Sequence, residues 1–279
     1  MNDLAGKTIL ITGSTDGLGK MTAAHFAERG ATVLLHGRNE KKGRQVIEEI
    51  GKRTVSYYNA DLSSLDGARL LVEEIAGNHK RLDLLINNAG IGGGPRGDHD
   101  GRQLSVDGIE LRFQVNYLSH FVLTRGLLPL LKKASPSRVV NVSSIGQAPI
   151  DFSDPMLEKN YTSYKAYCQS KLAQIMFTFD LAEELKDTGV TVVALHPATL
   201  MNTNMVFEFF GSTMSKVEDG ARALEYISVS PETARMTGEY FNAMQLSKAN
   251  PQAYDKVARK RLRELSFSLA KISPAGQKE

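Results

Sequence analysis

Tyr167 and Lys171 lie four residues apart in the run Ala166-Tyr-Cys-Gln-Ser-Lys171. On a helix that spacing stacks two side chains a turn apart on one face. A phenol titrates near ~10 in water. An ammonium beside it favours the phenolate and brings the group toward acid–base work at neutral pH. The pair is thus a candidate proton donor with its tuner. The segment that must carry it reads as a helix from Tyr164 to Lys186. Ala166, Ala173, Ile175, Met176, Phe179, Leu181, Ala182 and Leu185 recur there at roughly helical spacing, without Gly or Pro. Tyr-x-x-x-Lys also arises by chance in ordinary helices, so its meaning depends on what accompanies it.

The amino terminus supplies the first companion. Lys7-Thr-Ile-Leu-Ile-Thr12 is a short apolar, β-branched run, expected to be a buried strand. The turn Gly13-Ser14-Thr15-Asp16-Gly17-Leu18-Gly19 follows, then a helical pattern from Lys20 to Arg29, closed by Gly30 as a C-cap. A second strand, Thr32–His36, comes next. Glycines in a strand–turn–helix–strand unit let a pyrophosphate approach the backbone, and the helix N-terminus offers unpaired N–H groups and a positive dipole end. Dinucleotide binding is the expectation.

The remaining elements must hold these two features together. Strands are predicted at Thr8–Thr12, Thr32–His36, Thr54–Asn59, Leu82–Asn87, Arg138–Ser143, Thr191–His196 and Glu239–Asn242. Helices are predicted at Lys20–Arg29, Glu40–Ile50, Ser64–Asn78, Gly108–Leu131, Tyr164–Lys186 and Lys216–Val229. Alternation on this scale predicts a single α/β domain over residues 1–279, a doubly wound parallel sheet of about seven strands with helices on both faces. Two irregular stretches, Ile91–Asp107 and Gln147–Ser163, follow C-terminal ends of strands, where doubly wound sheets bind ligands.

Bulk properties narrow the function further. Hydrophobic residues make up 42% of 279 positions, enough for a sizeable core, and the net charge of +3 argues for no nucleic-acid surface. The run Arg259-Lys-Arg-Leu-Arg263 reads as a solvated helix face. Cys168 is the only cysteine, so no intrachain disulfide can form, and it reads as packing. The six histidines lack metal-ligand spacing, so no metal is expected. No apolar run approaches the ~18 residues of a membrane span, and only six residues precede the first strand. A cytoplasmic protein acting on a small molecule is the expectation.

In this order, Thr12 to Gly19, Asp61-Leu62, Asn87-Asn88-Ala89-Gly90, Asn116, Val140-Asn-Val-Ser-Ser144, Tyr167/Lys171 and His196-Pro197 resemble the single-domain short-chain dehydrogenases/reductases. The glycine spacing G-x-x-x-G-x-G is part of that likeness. The 23-residue separation of Ser144 from Tyr167, the run Ala166 to Ala173 and the tail Arg261-Leu-Arg-Glu-Leu-Ser266 are similar to a retinol-dehydrogenase-like branch, whose N-terminal membrane anchor is not expected here. The resemblance implies hydride transfer between NADP(H) and a carbonyl or secondary alcohol. It gives Tyr167 the proton, Lys171 the tuning of Tyr167 and a bond to the nicotinamide ribose, Ser144 (rather than Ser143) the substrate oxygen, and Asn116 a water leading from Lys171 to solvent. It assigns the cofactor to Gly13, Ser14, Thr15, Asp16, Gly17, Leu18, Gly19, Asp61, Leu62, Asn88, Ala89 and Gly90. Pro197, Leu200 and Thr203 join them, with Thr203 toward the carboxamide or the phosphates. His36, His120 and His196 are expected to be structural.

The second strand ends His36-Gly37-Arg38-Asn39 with no carboxylate before Glu40. An acidic residue there would bond ribose hydroxyls, whereas the fork of Arg38 can pair with a 2′-phosphate. NADP(H) is therefore favoured over NAD(H). Substrate recognition is expected from Gly92–Val106, Gln147–Ser163 and Asn204–Lys216. Met205, Val206, Phe207, Phe209, Phe210 and Met214 in the third fit either a lid over a bulky apolar substrate or a core helix. A homodimer or homotetramer is implied, with Ala173, Phe177 and Leu181 facing a second copy or, equally, the sheet. Two other functions compete: a sugar-nucleotide epimerase or dehydratase, which would show G-x-x-G-x-x-G, and an NADP(H)-binding sensor, which would have lost Tyr or Lys.

Overall fold

The computed structural model describes residues 3–93 and 101–273. Strands β1 (Thr8–Ile11), β2 (Thr32–Gly37), β3 (Val55–Asn59), β4 (Leu84–Asn87), β5 (Ser137–Val142), β6 (Val190–His196) and β7 (Glu239–Asn242) are parallel. A two-residue β8 (Gln245–Leu246) runs antiparallel at the edge. The order is β3-β2-β1-β4-β5-β6-β7-β8. The chain reverses direction across the sheet between β1 and β4, which opens a crevice at the C-terminal ends of those two strands.

Side chains of the strands alternate between two apolar layers, as the period of two requires. Ile9, Ile11, Val33, Leu35, Leu84 and Ile86 face α1 (Gly17–Glu28), α2 (Glu40–Ile50) and α8 (Val217–Val229). Leu10, Leu34, Leu85, Val139 and Val192 face the other layer. That layer holds α3 (Leu65–Asn78), the short α4 (Leu111–Phe113), α5 (Ser119–Ala134), α6 (Ser163–Glu184) and α9 (Lys256–Ala270). Each such Leu or Ile contributes about 1.5–3 kcal/mol through burial.

Two differences from the sequence expectations matter for the site. Helix α1 begins at Gly17 rather than Lys20, with Asp16 as N-cap accepting from the Gly17 N–H at 2.8 Å. Two glycines in a first turn argue for loop by propensity, but a Cβ on Gly19 would lie 2.4 Å from the Gly13 carbonyl oxygen, so close packing requires a glycine there. The single helix expected over Gly108–Leu131 is broken into α4, a π-helical turn Gln114–Leu118 and α5. Asn116 sits at the centre of that turn, and such bulges cluster at functional sites.

The run Arg259–Arg263, expected as a solvated face, is split: Lys260 and Arg261 are exposed, whereas Arg259 and Arg263 pair with α6. Arg259 is buried and bonds Glu183 at 2.6 Å, and Arg263 bonds Asp180 at 3.0 Å. Both carboxylates are on α6, so α9 lies across α6 rather than out in water. Ala173, Phe177 and Leu181 are buried inside the same chain. Phe177 packs on Tyr117 and Phe121, and Phe121 meets Phe267 of α9 with ring centroids 5.2 Å apart. The face offered to a second copy is thus occupied by the chain itself. No helix among the described residues is long and apolar enough to cross a membrane.

Candidate active site

The glycine turn after β1 is packed too tightly for side chains. A Cβ on Gly13, whose φ is +64°, would lie 2.8 Å from Ala89 Cα. One on Gly19 would lie 2.4 Å from the Gly13 carbonyl oxygen and 2.6 Å from Asn88 Nδ2. Asn88 donates from Nδ2 to the carbonyls of Thr12 (2.8 Å) and Gly13 (3.0 Å), tying the end of β4 to the turn after β1. The Thr12 hydroxyl accepts the N–H groups of Asn88 and Ala89, both at 2.9 Å. The turn is thereby held open at the N-terminus of α1, where free N–H groups and the dipole suit an anion. That cradle fits the pyrophosphate of a dinucleotide.

His36 is a brace that its residue type alone did not reveal. Its Nδ1 accepts the Gly13 N–H at 3.1 Å and its Nε2 faces the Ala60 carbonyl at 3.1 Å. Burial pulls its pKa down to about 4, so the ring is neutral and Nδ1 stays an acceptor. Ser14 turns inward: its hydroxyl donates to Ile11 O (2.8 Å) and accepts from His36 N (2.9 Å), and its own N–H bonds His36 O. Ser14 therefore has no polar hydrogen facing the cradle, unlike the role carried over to it. Arg38 follows β2, is exposed, and has no hydrogen bond or ion pair among the described residues. Asp61 is exposed after β3, accepting from the Ser63 N–H at 2.9 Å, while Leu62 beside it is buried.

The second half of the site is built by α6 and β5. Lys171 is 5% exposed, and its Nζ donates to Val142 O at 2.9 Å and to Gln174 Oε1 at 3.0 Å. The same nitrogen stands 5.8 Å from the centroid of the Tyr167 ring. A Cβ on Gly90 would lie 3.6 Å from it and 3.2 Å from Asn116 Oδ1, so a side chain there would crowd the Asn116 amide. Asn116 clamps the Ile91 backbone with both ends of its amide (2.8 and 3.1 Å) and donates to Ser170 Oγ at 2.9 Å. Of the serine pair, Ser143 is turned away and donates to Lys171 O at 2.8 Å. Ser144 accepts the Gly146 N–H at 3.0 Å and bonds the Tyr167 phenol, which favours the phenolate.

Electrostatics here differ from the expectation that Lys171 tunes Tyr167. Burial pushes the Tyr167 phenol up to about 12, only partly offset by the bond to Ser144. Burial alone pulls Lys171 down to about 7. With no carboxylate beside it among the described residues, the ammonium has the oxygens of Val142 and Gln174 in place of water, so its charged form is disfavoured. Gln174, 1% exposed, was not singled out by any motif, yet it is the only side chain that bonds Nζ among the described residues.

Of the three variable segments, the Asn204–Lys216 stretch packs on the tyrosine. The Asn204–Lys216 stretch forms α7 (Asn204–Phe210), with Thr203 as N-cap and Asn204 donating to Asp16 at 3.1 Å. Thr203 packs against Gly17, and Leu200 takes a left-handed φ of +47°. Pro197 packs near Gly220 of α8. Val206 is buried, but Met205, Phe207 and Met214 are exposed, so α7 is not a core helix. Phe209 points inward: its ring centroid is 6.1 Å from those of Tyr164 and Tyr167, and its ring presses on Gly93. Residues 94–100 of the Gly92–Val106 segment lie outside the described residues. The Gln147–Ser163 stretch is irregular but pinned, with Gln147 Oε1 accepting from Asn250 N at 2.7 Å and Tyr161 held between Glu110 and Arg112.

The glycine cradle and the Tyr–Lys pair thus meet at one crevice, at the end of β1, β4 and β5. Residues 7–211 match the family model for short chain dehydrogenase. The chain belongs to the short-chain dehydrogenase family. It is 35% identical to human retinol dehydrogenase 13 over 280 residues, covering 93% of this chain and 83% of that one. A crystal structure of an uncharacterised protein from Mycobacterium paratuberculosis superposes with a TM-score of 0.81 at 29% identity, covering 98% of this chain and 96% of that one. The active-site complex of Pseudomonas aeruginosa RhlG with NADP superposes with a TM-score of 0.70 at 27% identity, over 86% and 95% of the two chains. The family supplies an oxidoreductase with a nicotinamide-binding fold, and the eighth strand is an addition to the seven expected.

Proposed function

We propose that this oxidoreductase uses NADP(H) to interconvert a carbonyl and an alcohol on a fairly bulky apolar small molecule, with Tyr167 moving the proton. The observation that carries this reading is the convergence of Tyr167, Ser144 and Lys171 beneath Phe209, beside the Gly13–Gly19 cradle. Gly13, Gly17, Gly19 and Asn88 would hold the pyrophosphate, Asp61 and Leu62 the adenosine end, and Gly90 and Lys171 the nicotinamide ribose. A nicotinamide, when bound, supplies or accepts the hydride. The chain's own part is the proton and the geometry. Ser144 bonds the substrate oxygen, Tyr167 gives that oxygen its proton on reduction and takes it back on oxidation, and Lys171 in its charged form stabilises the phenolate.

Arg38 supports the choice of NADP(H). Its exposed guanidinium, without a partner among the described residues, stands where an acidic residue would otherwise read ribose hydroxyls. The aromatic wall of Phe209 and Tyr164 supports an apolar substrate, and a retinoid, named for the relative above, belongs among those tried. A homo-oligomer would have to use a surface other than the α9-covered face of α6, and light scattering reads that. The direct test follows NADPH oxidation with bulky aldehydes and ketones, with NADH in parallel. Turnover with NADPH supports the reading; tight NADPH binding without turnover on any carbonyl would favour a sensor.

A further inference from the structure

Behind Lys171 runs a chain of buried polar groups that the proton chemistry above does not use. Gln174 Nε2 lies 3.2 Å from His120 Nδ1, and His120 Nε2 lies 3.3 Å from Thr12 Oγ1. His120 Nδ1 is also 2.9 Å from the main-chain oxygen of Asn116, an acceptor only. Thr12, His120, Gln174 and Lys171 are all at most 5% exposed. They come from the end of β1, from α5 and from α6.

Counting hydrogens shows that the chain cannot be satisfied in one way throughout. A hydroxyl has one hydrogen and two lone pairs. The lone pairs of Thr12 Oγ1 receive the N–H groups of Asn88 and Ala89, and its one proton can turn to His120 Nε2 at 3.3 Å or to Ile86 O at 3.4 Å. When it turns to Nε2, His120 carries its hydrogen on Nδ1, which also serves Asn116 O. Gln174 must then present its oxygen to Nδ1 and its NH2 to Lys171 Nζ, and only a neutral amine has a lone pair to accept it. A charged Lys171 demands the reverse: the Gln174 oxygen toward Nζ, the NH2 toward a bare Nδ1, the His120 hydrogen on Nε2, and the Thr12 proton turned away to Ile86 O. Amide orientation and imidazole tautomer are therefore linked to the charge of the lysine.

We propose that Gln174 and His120 form a two-state hydrogen-bond switch for Lys171, in which the amide turns over and the imidazole changes tautomer as the amine loses its proton. His120 stays neutral in both states, and the proton lost by Lys171 leaves the network. Burial holds the His120 ring neutral, down to about 3, with the charge of Lys171 acting in the same direction. The titratable groups facing Lys171 are Tyr167 on its own helix, His120 from α5 and His196 from β6, with His36 of β2 behind His120. Through Thr12 the switch also touches the Asn88–Ala89 backbone, so the charge on Lys171 is coupled to the cofactor cradle. Gln174 and His120 are positioning residues.

The inference deepens the dehydrogenase reading and its test does not need turnover. The full chain is labelled with 15N in its histidine rings, and long-range 1H–15N spectra are recorded from about pH 5 to about pH 9. The His120 signal, assigned with His120→Gln, is expected to pass from the Nε2–H to the Nδ1–H tautomer with a midpoint near the lysine value of about 7. Lys171→Met should abolish that transition, and Gln174→Leu should hold His120 in the Nδ1–H form throughout. One tautomer across the whole range in the unsubstituted chain, or a transition that survives Lys171→Met, overturns the switch. Failure of every carbonyl substrate would overturn the dehydrogenase reading and leave these spectra to decide this one.

Discussion

The ring of Phe209 lies over that of Tyr167, with centroids 6.1 Å apart and planes at 53°. The phenol is therefore roofed by an aromatic side chain carried on a short helix with exposed apolar neighbours on its outer side. A substrate bound at Tyr167 would lie beside that ring. Phe209→Ala should raise kcat/KM for bulky carbonyls relative to small ones by roughly tenfold, about 1.4 kcal/mol. Rates across a series of aldehydes of rising size check this, and an unchanged size profile would put the specificity wall elsewhere.

Tyr167→Phe removes the hydroxyl and leaves the ring under Phe209 in place. Loss of a positioned proton donor costs about 10²–10⁴-fold in rate. Turnover should fall by that much, while NADPH affinity read by fluorescence stays within a factor of about three. Retained turnover would move the proton to another group.

Gly19 is held by backbone, not by a yielding side chain. A methyl there would meet the Gly13 carbonyl oxygen at 2.4 Å. Gly19→Ala should weaken NADPH binding by more than about tenfold and lower stability by about 1–3 kcal/mol, the usual cost of overpacking. Calorimetric titration and urea unfolding separate the two effects.

Much of the fold was legible because its signals are local. The apolar runs Ile9–Ile11 and Leu84–Ile86 alternate between two layers and could be little but buried parallel strands. The glycine turn and the Tyr–Lys pair carry their chemistry in residue type and spacing. What escaped depends on distant partners. Helix α9 mixes Leu262, Leu265 and Phe267 with the buried Arg259 and Ser266 on its inward side, so its apolar stripe is interrupted and its docking depends on Glu183 and Asp180 of α6. The π-turn at Gln114–Leu118 buries all five of its residues, so no pattern of sides sets it apart in the sequence. His36 and Gln174 gain their roles from Gly13 and from Lys171 with His120. No motif of one segment reports such contacts.

Arg38→Asp exchanges a partner for a 2′-phosphate for one that repels it and can accept from ribose hydroxyls. Because Arg38 supports no other described residue, the change should leave folding intact. The ratio of kcat/KM for NADPH over NADH should fall by more than about tenfold, roughly the 1.5–3 kcal/mol of a hydrogen bond to a charged group. An unchanged ratio would mean that another group reads the phosphate.

Stability should fall steeply in mild acid, before carboxylates are protonated. His36, His120 and His196 are 3%, 1% and 5% exposed. Burial, their largest influence, pulls them down to about 4, 3 and 4. In the unfolded chain a histidine titrates near ~6.5. Between about pH 6.5 and 4 the unfolded state therefore binds protons that the native state refuses, so stability drops as pH falls. Each ring contributes about 1 kcal/mol per pH unit in that window, and the loss levels off once the native rings also titrate. For Asp83, burial raises the carboxyl, but its bonds to Arg81, Thr8 and Lys7 more than offset this, so its contribution is lost only at lower pH. Protonating His36 Nδ1 would also break its bond from the Gly13 N–H, so acid should weaken the cofactor turn together with the fold. Urea midpoints at pH 7, 6, 5 and 4.5 measure the slope, and His36→Asn should flatten it by about one third of the three-histidine effect. A midpoint constant over that range would mean that the rings are protonated in the native state.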